Sequence, residues 1–346
     1  MAEDDYLWDR AARPDPEVVR IERALAPFRR VPPPPQWDAE LATEQPPSPR
    51  RRSYFRTGLA AAAVVGILVG GTLARSLDAP WTVSRLRGDV IAGGAPVSAK
   101  RGGDVLRPQQ WVETGQGASA RIKVGRIGRA DLGPGSRARL VRAEGSEHRM
   151  AMERGTLHAR IWAPPRFFLV ETPSALAIDL GCIYTLTLDD RGAGLLRVES
   201  GEVELVEGAR RSIVLAGNEA TLTPGTGPGL PYPVRARPTF RRALQRYEAH
   251  EDTRTLHELL AASDSGTTIT LWHLLQRVAP GDRHHVYTRL TQLAPTPNGV
   301  TGEAALALEQ DAIHRWRRGL ERSWTTESVP LWKRAWRRTW SHLMHR

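Results

Sequence analysis

Three hydropathy patterns divide the chain. Residues 57–74, TGLAAAAVVGILVGGTLA, carry no charge in a chain that is otherwise a quarter charged. From 81 to 226 short runs of alternating apolar and polar residues recur, each closed by glycine or a Gly/Pro pair. Ala118, Ala120, Ile122 and Val124 alternate with polar neighbours, as do Leu196 and Val198 and, after a turn, Val203 and Leu205. Period two with regular glycine punctuation predicts an antiparallel or coiled all-β unit of about ten to twelve strands. From 236 to 346 the period changes to that of helices. The stretches 240–263, 268–295 (two helices), 302–324 and 329–346 predict a small helical domain with a basic end.

The uncharged run predicts a transmembrane helix within residues 53–76. At 1.5 Å per residue it reaches about 27 Å, close to the hydrocarbon thickness of a bilayer of roughly 30 Å. Arg50, Arg51, Arg52 and Arg56 stand before it, Arg75 closes it, and Tyr54 and Phe55 suit the headgroup level. The basic side of a span stays in the cytoplasm. This places the N-terminus inside and residues from about 76 outside, in the periplasm of a bacterial inner membrane. The leading 56 residues are long for the charged leader of a cleaved signal peptide. Gly66 and Gly70 have the small-xxx-small spacing of a helix-pairing face, a candidate homodimer contact, although an Ala/Gly-rich span produces that spacing easily.

Ahead of the span, Asp15-Pro16-Glu17 is a helix start, followed at helical spacing by Val18, Ile21, Leu25 and Phe28. Tyr6, Leu7 and Trp8 lie upstream. So short a helix buries no core of its own, so its apolar face needs a partner or the membrane. Residues 31–52, with VPPPPQW and PPSPRRR, read as a linker, polyproline II in its first part. The expected organisation is therefore 1–52 (helix and linker), 53–76 (span), 80–226 (β) and 236–346 (helical).

Composition adds less. The net charge is +11, nearly all of it from arginine, since there are three lysines. Such basicity favours anionic surfaces, and the expected topology argues against nucleic acid as a partner of the outer part. One cysteine, Cys182, excludes an internal disulfide and multi-cysteine zinc sites. It reads as a buried small hydrophobe. No G-x-S-x-G and no P-loop is present. Gly115-Gln116-Gly117-Ala118-Ser119-Ala120 has the letters of a dinucleotide loop but precedes an alternating strand instead of a helix. His257, His273, His284, His285 and His314 lack the spacing of a metal site. Asp189-Asp190 before Arg191-Gly192 is a hairpin signal. No cofactor, metal or catalytic constellation is expected. Trp332, Trp336 and Trp340 form one stripe flanked by Lys333, Arg334, Arg337 and Arg338. It suits a membrane or anionic envelope surface, or closes the core of the helical domain.

A set of ordered motifs in the β region resembles the FecR family, single-span regulators of bacterial extracytoplasmic-function sigma factors. They are Leu86–Val90 with Gly88; Val112–Gly115 with Thr114, before the strand Ala118–Val124; Leu132–Ser136; Met152–Leu157 with Gly155; Phe168–Pro173; Val198–Val203 with Gly201; and Val214–Asn218 with Gly217. Gly88, Gly155, Gly201 and Gly217 are expected at turns of positive φ. Gly181-Cys182-Ile183-Tyr184 departs from the family's G-T-x-F, Gly125–Arg129 replaces a D-G-[ST] turn, and residues beyond about 236 carry no family motif. The resemblance implies a non-enzymatic anti-sigma regulator. Its sigma factor would meet Tyr6–Phe28 inside, and an envelope protein or ligand would meet the outer domains. The alternative is an envelope-anchored carbohydrate- or protein-binding module without sigma-factor control.

Overall fold

The computed structural model describes residues 79–98, 102–145 and 147–325. The strands in chain order are β1 (Trp81–Arg87), β2 (Val90–Ala92), β3 (Ala95–Pro96), β4 (Asp104–Leu106), β5 (Trp111–Thr114), β6 (Ser119–Val124), β7 (Gly128–Leu132), β8 (Arg137–Glu144), β9 (Glu147–Ile161), β10 (Phe168–Glu171), β11 (Leu176–Asp179), β12 (Ile183–Leu188), β13 (Gly194–Ser200), β14 (Glu202–Glu207), β15 (Arg210–Leu215), β16 (Asn218–Thr223), β17 (Gly227–Pro228) and β18 (Tyr232–Pro233). These outnumber the ten to twelve expected, because two-residue pairings and short strands at bends leave no periodicity to read. Six helices follow: α1 (Pro238–His250), α2 (Thr253–Ala262), α3 (Thr268–Arg277), α4 (Arg283–Leu293), α5 (Gly302–Leu306) and α6 (Gln310–Trp324). The described residues are thus mostly β-sheet, with a smaller helical part at the C-terminal side.

The strands form two sheets. The first runs β4-β1-β6-β7-β9-β12-β13-β16, with β17 and β18 on its far edge. The second runs β3-β2-β5-β8-β9-β10-β11-β14-β15. Pairing is antiparallel except between β9 and β10. Strand β9 belongs to both sheets. Its first half pairs with β8 and β10, its second with β7 and β12. Gly155 sits at the change of sheet with φ +97°, where an added Cβ would land on the backbone of Ser136. Only glycine fits both the dihedral and the space. Gly88, Gly201 and Gly217 also have positive φ, each where the chain passes from one sheet to the other. The glycine punctuation therefore marks sheet-to-sheet crossings.

Inward-facing residues of both sheets fill the first core. Trp81, Ile122, Leu132, Leu157, Phe168 and Tyr184 are fully buried in it. The Trp81 indole donates to Nδ1 of His148 at 3.2 Å, which gives the buried indole N–H an acceptor in the core. The motif residues interlock beside it. The Thr114 hydroxyl donates to the Gly133 carbonyl (2.6 Å) and accepts from the Ser136 amide (2.8 Å), while the Ser136 hydroxyl accepts from the Thr156 amide (3.0 Å). The β12–β13 turn has the predicted form, with the Asp189 carboxylate accepting from the Arg191 and Ala193 amides.

A second core joins Leu215, Leu230 and Tyr232 to the helices, around Phe240, Leu259, Leu271, Leu274 and Trp316. Two stretches read as single helices are each broken. Glu251 takes a left-handed conformation (φ 47°) and Asp252 caps the next helix, its carboxylate accepting from the Thr255 amide at 2.7 Å. Leu308, at φ 57°, separates α5 from α6. Among the described residues no helix is long and apolar enough to cross a membrane. The expected span with Gly66 and Gly70 lies outside the described residues, as do the N-terminal set Tyr6 to Phe28 and the C-terminal set Trp332, Arg334, Trp336, Arg337, Arg338 and Trp340.

Candidate functional site

The helices are seated on the sheets through a seam of buried polar contacts, with helix α3 at its centre. Nε2 of His273 accepts the Ile213 amide at 3.0 Å, so its proton sits on Nδ1 and is donated to the Ile269 carbonyl at 2.9 Å. Ile213 lies on β15, the last strand of the second sheet. The imidazole therefore satisfies a backbone donor on an otherwise open sheet edge. Burial pulls the His273 pKa down to about 3, which keeps the ring neutral. Thr270 donates to the Pro231 carbonyl (2.7 Å), and the Arg277 guanidinium donates to the carbonyls of Arg211 (2.7 Å) and Pro228 (3.0 Å).

Three carboxylates lie on the same seam. Glu202 accepts from Arg317 of α6 at 2.7 Å, and both side chains are largely buried. Burial works against the Arg317 charge, but Glu202 and Glu321 outweigh it and hold its pKa above the ordinary value. Glu219, 1% exposed, joins Arg197 of the sheet (2.7 Å) to Arg241 of α1 (3.1 Å). Glu248 of α1 accepts from the Leu230 amide (2.7 Å) and the Thr221 hydroxyl (3.0 Å), and burial pushes its pKa up. The side-chain amide of Asn218 donates to the Trp324 carbonyl (2.7 Å), and the Trp324 indole donates to Thr268 (3.0 Å). Sheet and helices are therefore tied along β16 at Asn218, Glu219 and Thr221.

Beside the seam opens a cleft of about 290 Å³, lined in part by Arg210, Thr221, Tyr247, Glu248, Glu251 and Arg277. Arg210 and Glu251 pair at 2.8 Å. Burial lowers the Arg277 pKa to about 10 and raises that of Tyr247 to about 12. No histidine, serine or cysteine lines the cleft. Its lining is that of a polar recess, in which the Thr221 hydroxyl donates to Glu248.

Cys182 is buried, as read from the sequence, and its thiol donates to Asp179 at 2.8 Å. Asp179 also accepts from the Gly181 amide at 2.6 Å, and burial pushes its pKa up to about 7. None of the sequence motifs above singles out Asp179. The available signal is the Asp-x-Gly of an Asx turn. His257 and His285 meet edge to face with ring centroids 5.0 Å apart. Among the described residues no group of histidine, cysteine or carboxylate side chains is placed to hold a metal.

No family model and no curated protein matches the chain. Two solved structures, at 1.65 and 2.50 Å, of a candidate anti-sigma factor from Parabacteroides distasonis ATCC 8503 are similar to part of it. Each is 17% identical, with a TM-score of 0.31, over 36% of this chain and 59% of theirs.

Proposed function

We propose that the chain is a non-enzymatic transmembrane regulator of an extracytoplasmic-function sigma factor, similar to FecR proteins. The observation that carries this reading is the ordered motif set from Leu86 to Asn218, following an 18-residue uncharged run with arginines on its N-terminal side. In this reading Tyr6, Leu7, Trp8, Val18, Ile21, Leu25 and Phe28 bind the sigma factor in the cytoplasm. Residues 57–74 cross the inner membrane, pairing through Gly66 and Gly70, and the sheets and helices lie in the periplasm. Transmission needs only a ligand that prefers one of two states of the outer part, and no bond is made or broken. The seam supports this role: buried ion pairs link the helices to the sheets, so a partner bound to one is in contact with the other through Glu202–Arg317 and Glu219–Arg241.

A photo-crosslinking residue at Ile21 or Leu25 of the membrane-inserted full chain tests the proposal. A sigma-factor adduct is expected, and it should disappear when Val18 and Phe28 are changed to Asp. A membrane-inserted chain that traps no sigma factor from either position leaves the envelope-anchored binding module, for which the cleft beside Glu248 is the recess to probe.

A further inference from the structure

The outer face of the first sheet carries one row that its chemistry does not balance. Register places Val105, Thr82, Lys123, Arg129, Arg160 and Ile183 directly opposite one another across β4, β1, β6, β7, β9 and β12. Three cations on adjacent strands therefore stand about 5 Å apart. Like charges directly opposite repel. Among the described residues none of the three has a carboxylate within 4 Å, and Nε of Arg129 and of Arg160 has no hydrogen-bond partner. The next row is neutralised in the ordinary way. There Arg121 pairs with Asp131 at 2.6 Å, and His158 faces Glu199 at 3.6 Å.

Large apolar side chains flank the cations. Val105 is 58% exposed and Trp162 66%, two of the four large hydrophobic residues that are exposed among those described. Trp162 continues β9 past Ile161, its amide donating to the Ile127 carbonyl at 2.7 Å, in the turn that also bears exposed Arg126. Register extends the row of Trp162 to Pro80, so this end of the sheet is the one at which the chain enters β1. Only seven residues, eight backbone steps, separate Ala74, the end of the uncharged run, from Thr82. Fully extended they span less than about 30 Å.

We infer that Lys123, Arg126, Arg129, Arg160 and Trp162 form a surface that docks the β unit onto the anionic lipid headgroups of the membrane that its own span crosses. The commitment to lipid rests on the proposed span, which delivers this end of the sheet to the bilayer. It also rests on the mixture of cations with an exposed indole, which sits at a headgroup–acyl boundary. Each cation near an anionic leaflet contributes about a five-fold factor in binding. Neutralising three of them should therefore reduce occupancy of the docked state by about a hundred-fold. A bilayer-docked and an undocked outer part are the two states that an envelope partner would choose between.

Lys123 supplies the readout, because the chain has only Lys100, Lys123 and Lys333. The full chain is placed in nanodiscs of phosphatidylcholine alone or with one-third phosphatidylglycerol, and amine labelling at each lysine is measured by mass spectrometry. We expect Lys123 labelling to slow at least five-fold in the anionic discs, and to return to the phosphatidylcholine rate in 1 M salt or in the R126S/R129S/R160S chain. Equal labelling of Lys123 in both lipids overturns the inference. So does protection by added soluble polyphosphate without any protection by phosphatidylglycerol. Alkaline-carbonate extraction of native membranes tests the span separately. A chain released by carbonate contradicts the span, and docking is then read by sedimentation of that chain with phosphatidylglycerol vesicles: loss of binding in the triple variant supports docking, and no binding by the parent overturns it.

Discussion

Replacing Arg317 by Met tests whether the helices are locked to the sheets. The guanidinium lies 2.7 Å from Glu202 and 3.1 Å from Glu321, with 20% of the Arg317 side chain and 8% of the Glu202 side chain exposed. Methionine matches the length of the stem but leaves the Glu202 carboxylate in the seam without that cation. Removing one partner of a buried pair costs about 3–5 kcal/mol. At roughly 2–4 °C per kcal/mol for a unit of this size, the melting temperature should fall by about 10 °C. Replacing both partners with apolar residues removes the stranded charge, so E202M/R317M should recover most of the loss. The assay is urea unfolding of parent, both single variants and the double, followed by tryptophan fluorescence, since Trp272, Trp316 and Trp324 lie in the helical core. A loss below about 1 kcal/mol in R317M, or a double variant whose loss equals the sum of the singles, would refute a coupled pair.

Three further outcomes follow from buried groups. Gly155→Ala forces a side chain onto the Ser136 backbone at φ +97°, so a loss of more than about 3 kcal/mol is expected, read as the yield and thermal midpoint of folded protein. His273 binds its proton near pH 3 in the fold and near 6.5 when unfolded. Its contribution is therefore complete above pH 6.5 and is lost as pH falls towards 3, by up to roughly 5 kcal/mol; His273→Gln should show a shallower acid slope in unfolding free energy, and parallel slopes contradict the buried neutral imidazole. Asp179 has the opposite sign, because its folded pKa of about 7 exceeds the ordinary value of 3.8, so ionisation destabilises the fold between about pH 4 and 7. Asp179→Asn should gain on the parent as pH rises through that window and then level off; a constant difference between the two in urea unfolding contradicts it.

Much of this fold was legible in local pattern. Ala118, Ala120, Ile122 and Val124 alternate in sequence and are all buried, the last three in β6 and Ala118 just before it. The α3 and α4 stretches were separable because Ala279-Pro280-Gly281 stops a helix. Two breaks were not legible. Glu251 and Leu308 take left-handed conformations that glycine or asparagine would have announced. The buried carboxylates were also hidden. Alternation along β14 puts Val203 and Leu205 inward and Glu202 and Glu204 on the opposite face, yet all four are buried. Arg317 covers Glu202, and Arg166 and Arg211 cover Glu204. A strand covered on both faces by a distant segment has no one-dimensional signature. The cationic row was hidden for the same reason, since Lys123, Arg129 and Arg160 become neighbours only once register is fixed.

The central claim is that the polypeptide has its ends in two aqueous compartments, joined through residues 57–74. Fusing alkaline phosphatase, which is active only outside the cytoplasm, after residue 80 of the chain reads this directly. The account predicts high phosphatase activity in intact bacteria, which should vanish when Val64, Ile67 and Leu68 are changed to Arg. Activity that appears only with a cytoplasmic reporter at the same position contradicts it.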